Sequence, residues 1–240
     1  MKTLSLCLLL ALIAGQAARA VADEPLAGRI VDLTHAYDGD TVYWPTADGF
    51  ELKVDFKGMT DGGWYYEANT FRTAEHGGTH LDAPIHFAAG RHHADEIPLE
   101  KLIGPAVVID VTAQAAEDRD YQVAVADFEA WEKVHGRLPD GVIVLLNTGF
   151  GKFWPDRVAY MGTAERGADA VSKLSFPGLH PDAARWLVAE RRIHAIGLDT
   201  PSIDFGQSAG FESHRILFEE NIPAFENVAN LDQLPEKGFQ

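Results

Sequence analysis

Apolar, β-branched and aromatic residues concentrate in six short stretches: Arg29 to Thr34, Glu51 to Phe56, Trp64 to Arg72, Ala106 to Val111, Val142 to Leu146 and Ile193 to Leu198. Each is bounded by turn formers, which predicts strands. Two other stretches carry helical spacing. Asp127 to His135 sets Phe128, Trp131 and Val134 three apart and stops at Gly136, and Pro181 to Arg192 opens on a proline suited to a first turn. A third, shorter helix is predicted near Ser213 to Glu220. Strands outnumber helices, yet a helix-then-strand unit occurs at Pro181 to Leu198, so the expected architecture is a single mixed α/β domain with a substantial sheet. No period of about 20 to 50 residues repeats, which argues against a solenoid or propeller. Phe150 to Ser175, where Gly, Asp, Arg and aromatic residues mix, reads as a long loop or lid.

The first twenty residues stand outside this pattern. Lys2, the apolar run Leu4 to Ile13 and then Ala18-Arg19-Ala20 follow the order of a secretory signal peptide, with cleavage expected after Ala20. The expected organisation is a signal over residues 1–20 and one domain over 21–240, exported to the periplasm or secreted. The apolar run is short for a bilayer, and no later stretch approaches the roughly 20 apolar residues of a membrane helix. Cys7 would leave with the signal, so the mature chain has neither a disulfide nor a thiolate catalyst. At 46% hydrophobic and 23% charged the composition is that of a globular protein. Removing Lys2 and Arg19 from 20 basic residues leaves 18 against 36 acidic ones, a net charge of −18. Such a charge repels phosphates and argues against nucleic acid or anionic membranes as partners.

The chemistry concentrates in Glu75 to Phe87, where three histidines and an aspartate fall within eleven residues. His76, His80, Asp82 and His86 all occupy even positions, so in an extended chain their side chains leave one face. At about 3.3 Å per residue, His76 and His80 would then stand about 13 Å apart, too far for one ion with bonds of about 2.0–2.2 Å. The chain must turn between them, and Gly77-Gly78 is where it can. Two imidazoles and one carboxylate suit zinc or manganese and leave positions open for water. His86 is then a fourth ligand or a proton carrier. A His-rich loop that caps a sheet is the competing reading, and four donors in one register around a forced bend argue against it. His35, His92, His93, His180 and His194 read as surface or core histidines.

The run His76-Gly77-Gly78-Thr79-His80-Leu81-Asp82-Ala83-Pro84-Ile85-His86-Phe87 resembles the signature of the metal-dependent cyclase-like hydrolases, the family that includes bacterial kynurenine formamidase (arylformamidase) and isatin hydrolase. Asp32 to His35, Val42 to Pro45, Phe176 to Leu179, Gly197 to Asp204, Ser213 to Arg215, Ile222-Pro223 and Glu226-Asn227 resemble further landmarks in family order. The resemblance implies a single-domain, mixed α+β, cyclase-like swivelling β/β/α fold. It makes His76, His80 and Asp82 ligands of a first metal, with Asp82 bridging to a second held by His214 and Glu226, the latter bridging too. His86 matches the proton donor and acceptor, and Trp44 the aromatic substrate contact. Isatin hydrolases are similar proteins with one manganese and no glutamate at the bridging position, so Glu226 favours two metals. Relatives usually continue past Leu234 to Phe239 into a further strand, so the resemblance leads us to expect either a fragment or a chain lacking that edge strand. They are commonly dimers or tetramers sharing pocket walls, so a homo-oligomer is expected by resemblance.

The activity implied is hydrolysis of a carbon–nitrogen amide bond by activated water, with Zn2+ in one or two copies, or Mn2+. N-formyl-L-kynurenine, cleaved to L-kynurenine and formate, is the leading substrate, with an isatin-like lactam second. A serine in the nucleophile turn of an α/β-hydrolase is not expected. Trp44, Trp64, Tyr65, Phe71 and Phe87 are candidates for an apolar wall, most of them otherwise core. A reading from another class is an exported protein that buffers zinc.

Overall fold

The computed structural model describes residues 28–240, so the signal expected at 1–20 lies outside the described residues. Two units divide the chain, Met1–Ile30 and Val31–Gln240. In the first, residues 28–30 are described and carry no helix or strand. The described strands and helices all belong to the second.

Among the described residues, ten strands run in the order β1 (Glu51–Met59), β2 (Tyr65–Arg72), β3 (His80–Asp82), β4 (Ala106–Asp110), β5 (Gln122–Val123), β6 (Ile143–Asn147), β7 (Gly178–Leu179), β8 (Ala195–Leu198), β9 (Ala224–Glu226) and β10 (Lys237–Phe239). Six of them form one sheet in the order β10-β4-β6-β8-β9-β3. Its centre, β4 to β9, is parallel, and β3 and β10 pair antiparallel on its two edges. The parallel strands β4, β6 and β8 are near-continuous apolar runs because both of their faces are covered. Val107, Ile109, Val144 and Leu146 face one side, where they meet Phe128, Leu187, Leu217 and Phe218. Ala106, Val108, Ile143 and Leu145 face the other, against Val228 and Leu231.

The helices are α1 (Thr112–Glu117), α2 (Val125–His135), α3 (Arg157–Met161), α4 (Ala168–Val171), α5 (Pro181–Trp186), prolonged by a wider turn to Arg191, and α6 (Glu212–Glu219). Five predicted strands and all three predicted helices are present within a few residues. The expected strand at Arg29 to Thr34 is not. Over Val31–Thr34 the chain makes single bonds to a turn, Ala229 N to the Leu33 carbonyl and Asn230 Nδ2 to the Asp32 carbonyl, and no described strand offers it a ladder. Val134 is exposed although Phe128 and Trp131 are buried, since two steps of three residues rotate it about 120° off the face. Phe150 to Ser175 is not a loose lid: Phe150, Tyr160, Met161 and Leu174 are buried with Val42 and Phe176 in a cluster of their own.

Candidate metal centre and active site

Three segments converge beyond the carboxyl ends of the parallel strands, where open α/β sheets place their ligand sites. The first is the glycine bend. Gly78 takes a φ of +61°, and a Cβ on Gly77 would stand 2.0 Å from the ring of Tyr43, so both positions need glycine for different reasons. The bend brings His76 Nδ1 to 2.7 Å from Asp82 Oδ1. His80 and Asp82 then lie two apart in β3, on one face, with His80 opposite Glu226 of β9. His86 arrives differently from the extended chain expected: Pro84 opens a 3₁₀ turn, Pro84–His86, which carries the His86 ring back over His76 at a centroid distance of 3.9 Å.

The other two segments are α6 and the end of β9. His214 is buried, with Nδ1 2.6 Å from Asp204 Oδ2 and Nε2 3.3 Å from Asp82 Oδ2 and 3.1 Å from Glu226 Oε1. Glu226 Oε1 also accepts from the Ile203 amide at 2.8 Å, and its Oε2 is 3.5 Å from His80 Nε2. Both His214 and Glu226 are buried.

Burial raises the Asp82 carboxyl, but hydrogen bonds from His214 and His76 and the close approach of the His80 ring outweigh it and hold the group well below the usual carboxylate range. Burial and the Asp82 charge raise Glu226. For His80, burial pulls downward while Asp82 and Glu226 more than offset it, pushing the imidazole up to about 9. His214 is likewise raised, against burial, by Asp204, Asp82 and Glu226. Two carboxylates out of water demand positive charge beside them, and protons supply it where a cation does not.

The donors fit a divalent cation. His76, His80 and Asp82 each offer an atom within 4.8 Å of the others, as do Asp82, His214 and Glu226, so Asp82 is common to both groups. His80 Nε2 is buried and hydrogen-bonded to nothing, although a carboxylate oxygen stands at 3.1 Å. Its Nδ1 is occupied by the Gly78 carbonyl at 2.9 Å, the outward partner that a metal-binding imidazole uses to fix its tautomer.

Above the donors is a cavity of about 260 Å3. Asp82, His214 and Glu226 contribute its polar floor, and Trp44, Phe87 and Phe211 its aromatic side. Phe211 lies 5.1 Å from Phe87 and 6.3 Å from Trp44. Of the other proposed wall residues, Trp64, Tyr65 and Phe71 are exposed and belong neither to the cavity nor to the core. His86 lines the cavity with its ring unbonded to any described residue, and burial, with help from the charges of His76 and His214, pushes it down to about 4 despite Asp82. It is therefore unprotonated at neutral pH.

Sequence reasoning assigned no role to Asp204, Phe211 or Asn227. Asp204 and Asn227 fall within the family landmarks, and Phe211 has no local signal. The expectation about serine is also corrected: Gly206-Gln207-Ser208-Ala209-Gly210 does match the nucleophile-turn pattern in its letters. The segment joins no strand to its helix, and Ser208 Oγ bonds Asp204 rather than an imidazole, so it is not a catalytic elbow.

A fold of this kind with this donor set can hold a divalent cation on the floor of a substrate-sized cavity. A family model described as putative cyclase matches residues 31–205, and the chain belongs to the cyclase family. It is similar to the isatin hydrolase of Roseibium aggregatum, at 32% identity over 73% of this chain and 67% of that protein. Isatin hydrolase A from Labrenzia aggregata, solved with benzyl benzoate, superposes with a TM-score of 0.78 at 32% identity, covering 88% of this chain and 84% of that one. The kynurenine formamidase of Salinibacter ruber is 25% identical over 83% of this chain and 82% of its own length. The mixed α+β fold is that of the cyclase family, and the protein is a cyclase-family hydrolase.

Proposed function

We propose that the protein hydrolyses the carbon–nitrogen bond of an aryl amide, with a divalent cation held by His76, His80, Asp82, His214 and Glu226. The observation that carries this reading is the pair of donor groups sharing Asp82 on the floor of a cavity with an aromatic side. A cation held there supplies Lewis acidity, polarising the amide carbonyl and acidifying a water. Zinc or manganese suits the donors. His86 takes a proton from the attacking water and delivers it to the leaving nitrogen as the new C–O bond forms and the C–N bond breaks. Asp204 holds the His214 ring, and Trp44, Phe87 and Phe211 receive the aryl group.

Two candidate substrates are supported by different observations. An isatin-like lactam is supported by 32% identity to an isatin hydrolase, against 25% to a kynurenine formamidase. N-formyl-L-kynurenine is supported by the second donor group, to which buried Glu226 belongs. We place the lactam first. Export rests on the order of residues 1–20, and is tested by fractionating cells and sequencing the mature N-terminus. A homo-oligomer is proposed on the exposed apolar hairpin β1–β2.

The deciding experiment measures metal content and hydrolysis of isatin and N-formylkynurenine before chelation, after it, and with zinc or manganese restored. Turnover of either amide that chelation abolishes and metal restores is expected. Bound metal without turnover of either would favour a protein that buffers metal.

A further inference from the structure

Asn227 directly succeeds Glu226, and two of its atoms reach back to the glycine bend. Its Nδ2 donates to the Gly78 carbonyl at 2.8 Å, and its own carbonyl accepts from Thr79 Oγ1 at 2.6 Å. The Gly78 carbonyl is also the partner of His80 Nδ1. That bond fixes a proton on Nδ1, so Nε2, which faces Asp82 and Glu226, is the nitrogen free to give up its proton to a cation. The orientation of one backbone carbonyl therefore decides which nitrogen of His80 is offered to a cation.

Behind Asn227 stands Tyr160 of α3, fully buried, its hydroxyl 2.9 Å from Asn227 Oδ1 and 3.1 Å from the Asp199 carbonyl. A carbonyl can accept but not donate, so the Gly78 oxygen requires Nδ2 of the carboxamide toward it and leaves Oδ1 to the Tyr160 hydroxyl. Asn227 holds this place at a φ of +52°, a left-handed conformation that costs most side chains more than it costs asparagine. The connection runs from the Tyr160 hydroxyl through the Asn227 carboxamide and the Gly78 carbonyl to the His80 ring. Neither Tyr160 nor Asn227 belongs to either donor group.

We propose that Asn227 and Tyr160 are positioning residues of the cation site: together they hold the Gly78 carbonyl that orients the His80 ring, and they fasten the glycine bend to the end of β9. This rests on the reading of the donors as a metal centre. Partners of a ligating histidine change metal affinity by about 10- to 100-fold when removed.

The test is zinc affinity of the purified protein, by competition with a chromogenic chelator, for wild type, Tyr160→Phe, Asn227→Gly and the double variant. Phenylalanine keeps the ring that fills the core, and glycine tolerates the positive φ, so both leave the backbone a route to the native fold. Thermal melting without metal is recorded beside each titration. Tyr160→Phe should bind zinc about tenfold more weakly, and Asn227→Gly weaker still. Because Tyr160 acts through Asn227, the double variant should bind no more weakly than Asn227→Gly alone. A purely structural role would lower the melting temperature and leave zinc affinity unchanged, which would overturn the inference, as would losses that multiply in the double variant. Normal zinc binding by wild type and by Tyr160→Phe overturns this inference alone. No zinc binding by wild type overturns the metal reading and this inference with it.

Discussion

His76, His80 and His214 each approach a carboxylate oxygen, whereas His86 touches other rings: stacked on His76, edge-on to Phe87. On the proposed function, that difference separates holding a cation from moving a proton. His86→Ala should keep the metal content of wild type while kcat falls about 100- to 10,000-fold, the usual contribution of a positioned proton carrier. Metal analysis and single-substrate kinetics check it, and full activity in the variant would remove His86 from the mechanism. The four donors in the glycine motif could be read from the sequence because spacing and a forced bend act locally. Asp204 could not. An acid ten residues before a histidine has no local signature, and the crossing of the chain after β8 is what puts it 2.6 Å from His214. His214 and Glu226 were readable through family resemblance alone, for the same reason.

At the level of elements, legibility tracks burial. β4, β6 and β8 carry runs of apolar residues because helices cover one face and the turn after β9 covers the other, so composition alone marks them. β3 and β9 are three residues each, and β3 consists of His80, Leu81 and Asp82, whose composition does not favour a strand. Their pairing joins residues 146 positions apart, His80 with Glu226, and is what builds the site. The bend that precedes β3 is its steric counterpart. Tyr43 is buried and cannot yield to a methyl group on Gly77. Gly77→Ala should therefore destabilise the protein by about 1–3 kcal/mol, the cost of overpacking, and lower metal content as His76 swings away from Asp82. Urea unfolding of the metal-free protein, with metal analysis in parallel, measures both. Wild-type values of each would mean that the bend does not shape the site.

On the scale of the whole molecule, the hairpin β1–β2 is unlike the rest of the fold. The register of its strands sets Leu52, Val54, Met59, Tyr65 and Phe71 on one face, and each is more than half exposed. A soluble surface seldom leaves an apolar strip of that kind in water. Lys57 and Glu67, paired at 3.3 Å, are the charged residues of this face and cancel, so two copies of an acidic chain could meet there without repulsion. A two-fold axis would lay the same strip on itself, the arrangement most homo-oligomers adopt. The hairpin is also rooted at the candidate site: β1 begins four residues after cavity-lining Ala47, and β2 ends four residues before His76. A second copy covering this face would thus be continuous with the cavity wall. Leu52→Glu combined with Met59→Glu places like charges at both ends of the strip, while exposed substitutions cost the single subunit about 0.5 kcal/mol or less. Sedimentation velocity across a range of concentrations should show an associated wild type and a monomeric variant with unchanged unfolding of the subunit. A wild type that sediments as a monomer throughout, or a variant that stays associated, would leave the hairpin without this role. If the partner walls the cavity, KM for the amide should rise as wild type is diluted through its dissociation range, and the variant should show the raised value at every concentration.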